Sequence, residues 1–507
     1  MNSIKIHPLD NVAVALQDLS KGEVVEGVTL LEDIPRGHKV LLKDLKAGDN
    51  VIKYGYPIGH LTRDAAAGSL VDHNWIKTNL EGVMEYRYEP AEAEIAGQAG
   101  NVAKATGNDG HKASFLGFRR ADGQVGVRNQ IWVIPTVGCV NGVCQEIVRR
   151  FRTEIAGHAR PDRASVDAVV AFPHNYGCSQ LGEDHENTRR ILADMVHHPN
   201  AGGVLVVSLG CENNQLDAFR QLVGPVDESR VRMFVTQKVE DEVEYGLQQL
   251  REIYSIASED KREPIPVSEL KVGLKCGGSD GLSGITANPL LGVFSDWIVA
   301  QGGTTVLTEV PEMFGAETIL MNRCQDKATF DKTVALINDF KEYFIKQGMP
   351  VYENPSPGNK AGGISTLEEK SLGCTQKSGG SDVRDVLKYG QRLSAKGLNL
   401  LSAPGNDLVA STALAAAGCQ IVLFTTGRGT PFGSFVPTMK ISTNTPLAKT
   451  KPHWIDFNAG VLAEDSPMEE VSKRFIDFVL DVASGKTVRS EEHDAREIAI
   501  FKQGVTL

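Results

Sequence analysis

Four cysteines in this sequence stand at or just after the end of an apolar run. They are Cys139 after IWVIPTV, Cys178 after AVVAFPHNYG, Cys211 after GVLVVSLG and Cys276 in KVGLKCGG. In open α/β sheets ligands bind outside the carboxyl ends of the strands, and thiols at such ends are placed to hold a soft metal. We therefore predict a metal site built from Cys178, Cys211 and Cys276, which all have glycine and polar neighbours.

The alternative for each of these thiols is an ordinary buried side chain, because free cysteine is among the most buried residue types. Cys324 and Cys419 lack such glycine and polar neighbours and are interpreted as core residues. Cys374 in SLGCTQK is intermediate between a core residue and a ligand. The predicted ligands are dozens of residues apart and form no CxxC pair. A site made from them must therefore be assembled by the fold.

Two segments contain candidate proton carriers. His174 lies four residues before Cys178, and His38 and Lys39 lie in the IPRGHKV turn near the N-terminus. A neutral imidazole in such a place can act as a general base. The alternative for His174 is a hydrogen-bonded structural histidine, and His38 and Lys39 would serve only if their turn reaches a domain interface.

Two glycine-rich loops are candidate anion-binding sites. Gly427, Arg428 and Gly429 stand in TTGRGTPFG, and Asn359 and Lys360 stand in NPSPGNKAGG. Free backbone N–H groups and a guanidinium suit a substrate carboxylate. The first loop is no dinucleotide fingerprint, since GxGxxG is absent, and the second is no phosphate-binding Walker loop. Ordinary turns are the alternative for both.

Length and composition limit the class of protein. The chain has 507 residues, 41% hydrophobic and 23% charged, with a net charge of -11 and no Lys/Arg-rich block. Nucleic acid and membranes are therefore not predicted partners, and a small molecule is. The start of the chain does not resemble a signal peptide, and eight scattered cysteines favour reduced thiols in the cytoplasm. The oligomeric state is left open, a homo-oligomer included.

The pattern along the chain predicts an α/β protein with mainly parallel sheets. Residues 1–85 read as a small β module, 86–114 as a linker, 115–264 as a middle α/β domain and 265–507 as a C-terminal α/β domain. Near the end, Ser466-Pro467-Met468-Glu469 predicts a capping-box helix start with proline as its first residue, and Gly485 predicts the helix end.

Several long strings resemble one known family. They include GVRNQIWVIPTVGCVNG, HNYGCSQLG, VVSLGCENNQ, CGGSDGLSGITANP, TEVPEMFGAE, SLGCTQK and TTGRGTPFG. They are similar to the altronate/galactarate dehydratase family over essentially the whole chain. PEMFGAE, SLGCTQK and AIFKQGVTL resemble its altronate branch rather than its galactarate branch.

The resemblance implies an N-terminal SAF-type β-clip module followed by two α/β domains. It also implies a hydro-lyase that removes water from D-altronate to give 2-dehydro-3-deoxy-D-gluconate in hexuronate catabolism, with galactarate or another sugar acid as the alternative substrate. Ferrous iron is the implied cofactor, with manganese as a substitute. A single iron with mixed ligands and a labile iron–sulfur cluster on three cysteines both stay open.

Three other functions compete with this interpretation. A nicotinamide oxidoreductase suits the alternating strands and helices but lacks GxGxxG. A sugar-acid-binding protein could use the Arg428 loop but has little need for strand-end thiols. A sulfolactate sulfo-lyase has related chemistry, and the single fused chain disfavours it.

Overall fold

The computed structural model describes residues 2–90, 113–156, 165–504 and 506. Most of the predicted linker, residues 86–114, lies outside the described residues. Tyr86 and Tyr88, at its start, contact the C-terminal part of the chain through hydrogen bonds to Glu317 and to the carbonyl of Cys324.

The N-terminal module consists of short antiparallel strands joined by turns. A four-stranded sheet has the order β1-β2-β5-β8, and β6, β7 and β9 form a second sheet. The strands are β1 Ser3–Ile4, β2 Val12–Ala15, β3 Val24–Val25, β4 Val28–Thr29, β5 Lys39–Leu41, β6 Asn50–Lys53, β7 Tyr56–Leu61, β8 Leu70–Val71 and β9 Ile76–Lys77.

The middle domain is built on a parallel sheet of four strands. Its order is β13-β12-β14-β15, and its strands are β12 Gln130–Pro135, β13 Ala168–Ala171, β14 Ala201–Ser208 and β15 Val231–Val235. A small antiparallel sheet joins the domain's two ends through β10 Ser114–Arg119, β11 Val125–Gly126 and β16 Glu263–Pro266. The helices are α1 Asn141–Ala156, α2 Gly182–Val196, α3 Leu216–Val223 and α4 Glu242–Ala257.

The C-terminal domain has a seven-stranded parallel sheet of order β19-β20-β18-β17-β21-β22-β23. Its strands are β17 Lys271–Cys276, β18 Thr304–Leu307, β19 Val383–Leu387, β20 Gly397–Leu401, β21 Ile421–Thr426, β22 Thr438–Ser442 and β23 Phe457–Asn458. Its helices are α5 Ala287–Ala300, α6 Glu317–Met321, α7 Lys327–Lys346, α8 Pro357–Ala361, α9 Leu367–Thr375, α10 Asp407–Ala416, α11 Thr445–Thr450, α12 Met468–Ala483 and α13 Arg489–Glu492.

One apolar core joins the two parallel sheets. Trp132 and Val204 from the middle sheet share a buried cluster with Val306 and Val422 from the C-terminal sheet. Neighbouring residues on the same strands face other clusters, as the alternation of side chains along a strand requires. Because both faces of each sheet are covered, the strands are nearly continuous apolar runs.

The predicted α/β class with an N-terminal strand-rich module is confirmed. The predicted capping box is wrong, because Pro467 takes the N-cap position with an extended backbone and the helix begins at Met468. Ser466 is then one residue too early to cap it. Gly485, with φ 114°, does follow the helix end as predicted. Among the described residues, no helix is long and apolar enough to cross a membrane.

Candidate functional site

Cys276, the last residue of strand β17, belongs to a buried group of possible metal ligands. The Cys276 sulfur lies 3.3 Å from the Cys374 sulfur, and the Glu312 Oε2 atom lies 3.1 Å and 3.2 Å from these two sulfurs. Among the described residues, these three form the one group of at least three His, Cys, Asp or Glu ligand atoms lying within 4.8 Å of one another. Two thiols and a carboxylate are a donor set suited to a soft or borderline metal ion.

Lysines surround this group and balance its charge. Lys370 Nζ donates to Glu312 Oε1 at 2.8 Å, so the other carboxylate oxygen faces the sulfurs. Burial raises the pKa of Glu312, but the charges of Lys370 and Lys275 outweigh it and bring that pKa down to about 2. Hydrogen bonding to Cys276 and burial raise the pKa of the Cys374 thiol well above its usual range. Glu312 is therefore ionised in the folded protein.

A second carboxylate, Glu309, fixes the backbone beneath Cys276. Its Oε2 atom accepts from the Cys276 N–H and from Lys377 Nζ, both at 3.0 Å, and its Oε1 atom pairs with Lys275. Glu309 has φ 69°, in the left-handed region that a non-glycine residue rarely adopts. Such strain is typical of residues held in place at functional sites.

The N-terminal module contributes two buried lysines beside this region. Lys39 Nζ and Lys53 Nζ bind the two oxygens of Glu369 at 2.9 Å and 2.7 Å. Burial raises the pKa of Glu369, but both lysines oppose that effect and lower it to about 2. Burial lowers the pKa of Lys39. Glu369 belongs to α9, as does Cys374, so one helix joins the lysine pair to the buried thiol–carboxylate group of Cys276, Glu312 and Cys374.

The predicted anion-binding loops meet at the same edge of the C-terminal domain. Arg428 Nη1 donates to the Gly358 carbonyl at 3.1 Å, and Asn359 Nδ2 donates to the Ser279 carbonyl at 2.8 Å. Asn359 Oδ1 also lies 3.4 Å from Lys370 Nζ. The loop containing Lys360 is thereby connected, through Lys370, to the buried thiol–carboxylate group. The side chain of Arg428 is exposed.

Two cavities lie where the N-terminal module meets the C-terminal domain. The smaller one is bordered by Lys53, Tyr54, Asp280, Lys370 and Cys374. The larger, more open one is bordered by Arg36, His38 and Ala361 among others. His38 is half-buried, and burial lowers the pKa of its imidazole below the usual 6.5.

Gly427 and Gly429 also lie at this edge of the C-terminal domain. An added Cβ on Gly427 would lie 2.4 Å from the carboxyl carbon of Asp280, and Gly429 has φ 85° and packs against Trp454. Burial raises the pKa of Asp280. The structure thus brings His38, Lys39 and both glycine-rich loops to one region of the molecule.

Other predicted residues lie on the middle domain instead. Cys178 and Cys211 are exposed at the ends of β13 and β14, whereas Cys276 lies in the C-terminal sheet. His174 is buried, its Nε2 atom is 2.8 Å from the Pro135 carbonyl, and its Nδ1 atom accepts from the Tyr176 N–H. Burial lowers the pKa of His174 to about 4, so the ring is neutral and both its nitrogens bind backbone.

The sequence interpretation missed Glu309, Glu312 and the lysines 275, 370 and 377. A signal for them existed, because Lys275 interrupts the apolar strand KVGLKC and a charged residue inside a buried strand needs a partner. Which acidic residue pairs with Lys275 depends on how β17, β18 and α9 pack. Cys374, intermediate on its sequence context, is a member of the buried thiol–carboxylate group.

The fold and this site define a three-part α/β protein in which an N-terminal β module docks beside a buried thiol–carboxylate group. The family model for the altronate/galactarate dehydratase SAF domain matches residues 1–79. The model for the second domain of D-galactarate dehydratase/altronate hydrolase matches residues 117–258, and the D-galactarate/altronate dehydratase C-terminal model matches residues 267–506. The chain belongs to the altronate/galactarate dehydratase family.

Relatives are similar over the full length of the chain. An altronate dehydratase of Bacillus subtilis is 58% identical over 509 residues, which cover 99% of both chains. An altronate dehydratase of Escherichia coli is 56% identical over 511 residues and 100% of both chains. A galactarate dehydratase (L-threo-forming) of Escherichia coli is 35% identical over 95% of this chain and 93% of its own.

Proposed function

We propose that this protein is a hydro-lyase that converts D-altronate into 2-dehydro-3-deoxy-D-gluconate and water, in hexuronate catabolism. One observation carries the choice of substrate. The chain is 58% and 56% identical to two altronate dehydratases and only 35% identical to a galactarate dehydratase. Galactarate is the alternative substrate. Eight unpaired cysteines favour a reducing compartment, and we propose the cytoplasm.

The residues Cys276, Glu312 and Cys374 would hold the metal, for which we propose ferrous iron with manganese as a substitute. The fit rests on the donor set, because two sulfurs and an ionised carboxylate oxygen already lie within 3.3 Å of one another. Lys370 holds the outer oxygen of Glu312, and such second contacts orient metal ligands. When bound, the ion would supply Lewis acidity toward the substrate carboxylate.

The loops at the edge of the C-terminal domain bind the substrate in this proposal. Arg428 and Lys360 hold its carboxylate, and Asn359 anchors the loop to Ser279 and Lys370. Gly427 and Gly429 let the backbone approach the substrate closely. Lys39 pairs with Glu369 and so positions the turn that contains His38.

His38 is the proposed base for the proton at C2. Its lowered pKa keeps the imidazole neutral near pH 7, and its Nδ1 atom lies 3.3 Å from the Arg36 carbonyl, which leaves Nε2 to accept a proton. The C2–H electron pair forms the C2=C3 bond as the C3–O bond breaks, and the hydroxyl group takes a proton and leaves as water. The resulting enol transfers its O–H proton and is protonated at C3, which gives the 2-keto acid without an oxidant.

The test is an anaerobic assay with ferrous iron and thiol on D-altronate, galactarate and D-mannonate. Formation of a 2-keto-3-deoxy acid is followed over time, and we expect selective turnover of D-altronate. Preferred turnover of galactarate would move the protein to the other branch of the family. No turnover of any of the three, with iron bound, would contradict the dehydratase assignment.

Two variants test the proposed metal ligands. Cys276→Ser and Glu312→Gln should each lower kcat/KM by more than about 100-fold, because losing a residue that merely orients a metal ligand already costs about 10–100-fold. Cys324→Ser is the matched control, since this thiol is buried in the same domain and its sulfur contacts Thr333 Oγ1 and the Leu320 carbonyl. Full activity of Cys276→Ser would show that the assigned ligands are wrong.

A further inference from the structure

All three exposed cysteines of the chain follow adjacent strands of one sheet. The eight cysteines all lie in the described residues, and five of them are buried. Cys139 follows β12, Cys178 follows β13 and Cys211 follows β14, and β12 lies between the other two strands. Because these strands are parallel, their carboxyl ends and the three cysteine loops share one edge of the sheet.

The loops of Cys139 and Cys178 are in backbone contact. The Gly138 N–H donates to the Tyr176 carbonyl at 3.0 Å. Gly177 has φ 97°, and an added Cβ there would lie 2.1 Å from the Thr136 carbonyl oxygen. Each of these two cysteines is thus preceded by a glycine at a place where the two loops leave no room for a side chain.

The loop of Cys211 joins the same assembly. The Asn214 N–H donates to the Gly177 carbonyl at 3.1 Å, and the Ser179 N–H donates to Asn213 Oδ1 at 2.8 Å. The buried Glu212 carboxylate holds the base of this loop, since it accepts from the Gly210 N–H and from Thr136 Oγ1. The three exposed thiols therefore lie on loops that are hydrogen-bonded to one another.

We infer that Cys139, Cys178 and Cys211 hold an iron–sulfur cluster at this edge of the middle domain. Three exposed thiols on one surface are prone to oxidation, and metal ligation is a use that explains their shared exposure. One ion bound tetrahedrally at 2.3 Å needs sulfurs only about 3.8 Å apart. The described residues contain no such tight group of three here.

An iron–sulfur cluster suits sulfurs that lie farther apart, because each thiolate binds a different iron atom. Three cysteines would anchor three irons of a four-iron cluster and leave the fourth to a ligand from outside this set. The inference is independent of the proposed dehydration, because it concerns the middle domain and none of the residues assigned to the buried thiol–carboxylate group.

Iron and acid-labile sulfide analysis of the full-length protein tests the inference. After anaerobic reconstitution with ferrous iron and sulfide, we expect roughly four sulfide per chain, a visible absorption band, and roughly five iron, of which one belongs to the proposed site at Cys276, Glu312 and Cys374. The triple variant Cys139→Ser, Cys178→Ser, Cys211→Ser should lose the sulfide and the band. Its melting temperature without metal should be unchanged, because exposed substitutions cost within about 0.5 kcal/mol.

Cys276→Ser is the comparison that separates the two sites, with Cys324→Ser as a second control for folding. Both should keep the sulfide and the visible band, whatever happens to turnover of D-altronate. Absence of sulfide from the wild-type protein would overturn the inference. Sulfide retained in the triple variant, sulfide lost in Cys276→Ser, or a single metal ion without sulfide that the triple variant loses would overturn it as well.

Discussion

His38 combines partial burial with a place at the boundary between two modules. Because burial lowers its pKa below 6.5, the imidazole is neutral and ready to accept a proton at any pH above that value. The acid limb of kcat/KM against pH should therefore lie below pH 6.5. His38→Gln should lower kcat by about 10²–10⁴-fold, the usual contribution of a general base, and should abolish that limb.

The control for His38 is His60→Gln, in the same module. His60 Nδ1 lies 2.6 Å from Asn79 Oδ1, at a place that lines neither of the cavities described above. His60→Gln should leave the profile of kcat/KM against pH unchanged. A wild-type acid limb that persists in His38→Gln would assign the base to another residue.

Asp194 is a buried carboxyl in α2 that works against stability at neutral pH. Burial raises its pKa to about 7, and among the described residues its Oδ2 atom has no hydrogen-bond partner. The unfolded state loses this proton near pH 3.8, so the free energy of unfolding falls as pH rises from about 4 to 7, by at most about 4 kcal/mol. Asp194→Asn should remove that fall.

Calorimetric melting temperatures at pH 5 and pH 8 measure the effect of Asp194. The wild-type protein should lose more stability between these two values than Asp194→Asn does, and the variant should be the more stable protein at pH 8. Asp477→Asn, an exposed change in α12, should behave like the wild type. Equal pH dependence in all three proteins would contradict the prediction.

At the residue scale, the sequence made Cys276 a candidate ligand but gave no sign of the residues that contact it. An apolar run that ends in a thiol and glycines is a local pattern, and it can be read without the fold. Glu312 and Cys374 reach Cys276 from separate turns and helices, and no local rule pairs residues 36 and 98 positions away. The glycine-rich loops were predictable as loops, and their meeting at Gly358 was not.

At the element scale, the turn at Gly37 packs backbone against backbone on the C-terminal domain. An added Cβ on Gly281 would lie 1.9 Å from the Gly37 carbonyl oxygen, in the turn that precedes His38. Gly281→Ala must push this turn away. We expect a lower melting temperature and a loss of kcat larger than any change in KM, because His38 moves with the turn.

Gly142→Ala is the matched substitution for Gly281. Gly142 lies in the first turn of α1, and an added Cβ there meets nothing within 4 Å. Alanine should be neutral or stabilising there by up to about 1 kcal/mol, since glycine disfavours a helix. Equal melting temperatures and kinetics for Gly281→Ala and Gly142→Ala would show that the contact does not matter.

The elements themselves were largely predictable. Parallel strands buried on both faces give continuous apolar runs, and the runs IWVIPTV and KVGLKC lie on β12 and β17. The start of α12 was not predictable, because Ser466-Pro467 fits both a capping box and an extended segment before the helix. The backbone of Pro467, with ψ 136°, decides between them.

At the scale of the whole molecule, the N-terminal module is held by buried polar contacts as well as by its chain connection. Glu369 binds both Lys39 and Lys53, and Glu368 accepts from the Asn79 N–H at 2.6 Å. Apolar residues of the module, Val12 and Ile58 among them, share a buried cluster with Leu372. These contacts do not need a continuous backbone between the module and the rest of the chain.

A protease recognition sequence inserted between Gly100 and Asn101 tests this independence. After complete cleavage, the two pieces should elute together in size-exclusion chromatography and keep turnover within about twofold. Glu369→Gln in the same cleavable protein leaves two buried lysines without their carboxylate, at a cost of about 3–5 kcal/mol. The cleaved variant should therefore separate into its pieces and lose activity, whereas separation of the cleaved wild-type pieces would mean that the chain connection holds the module in place.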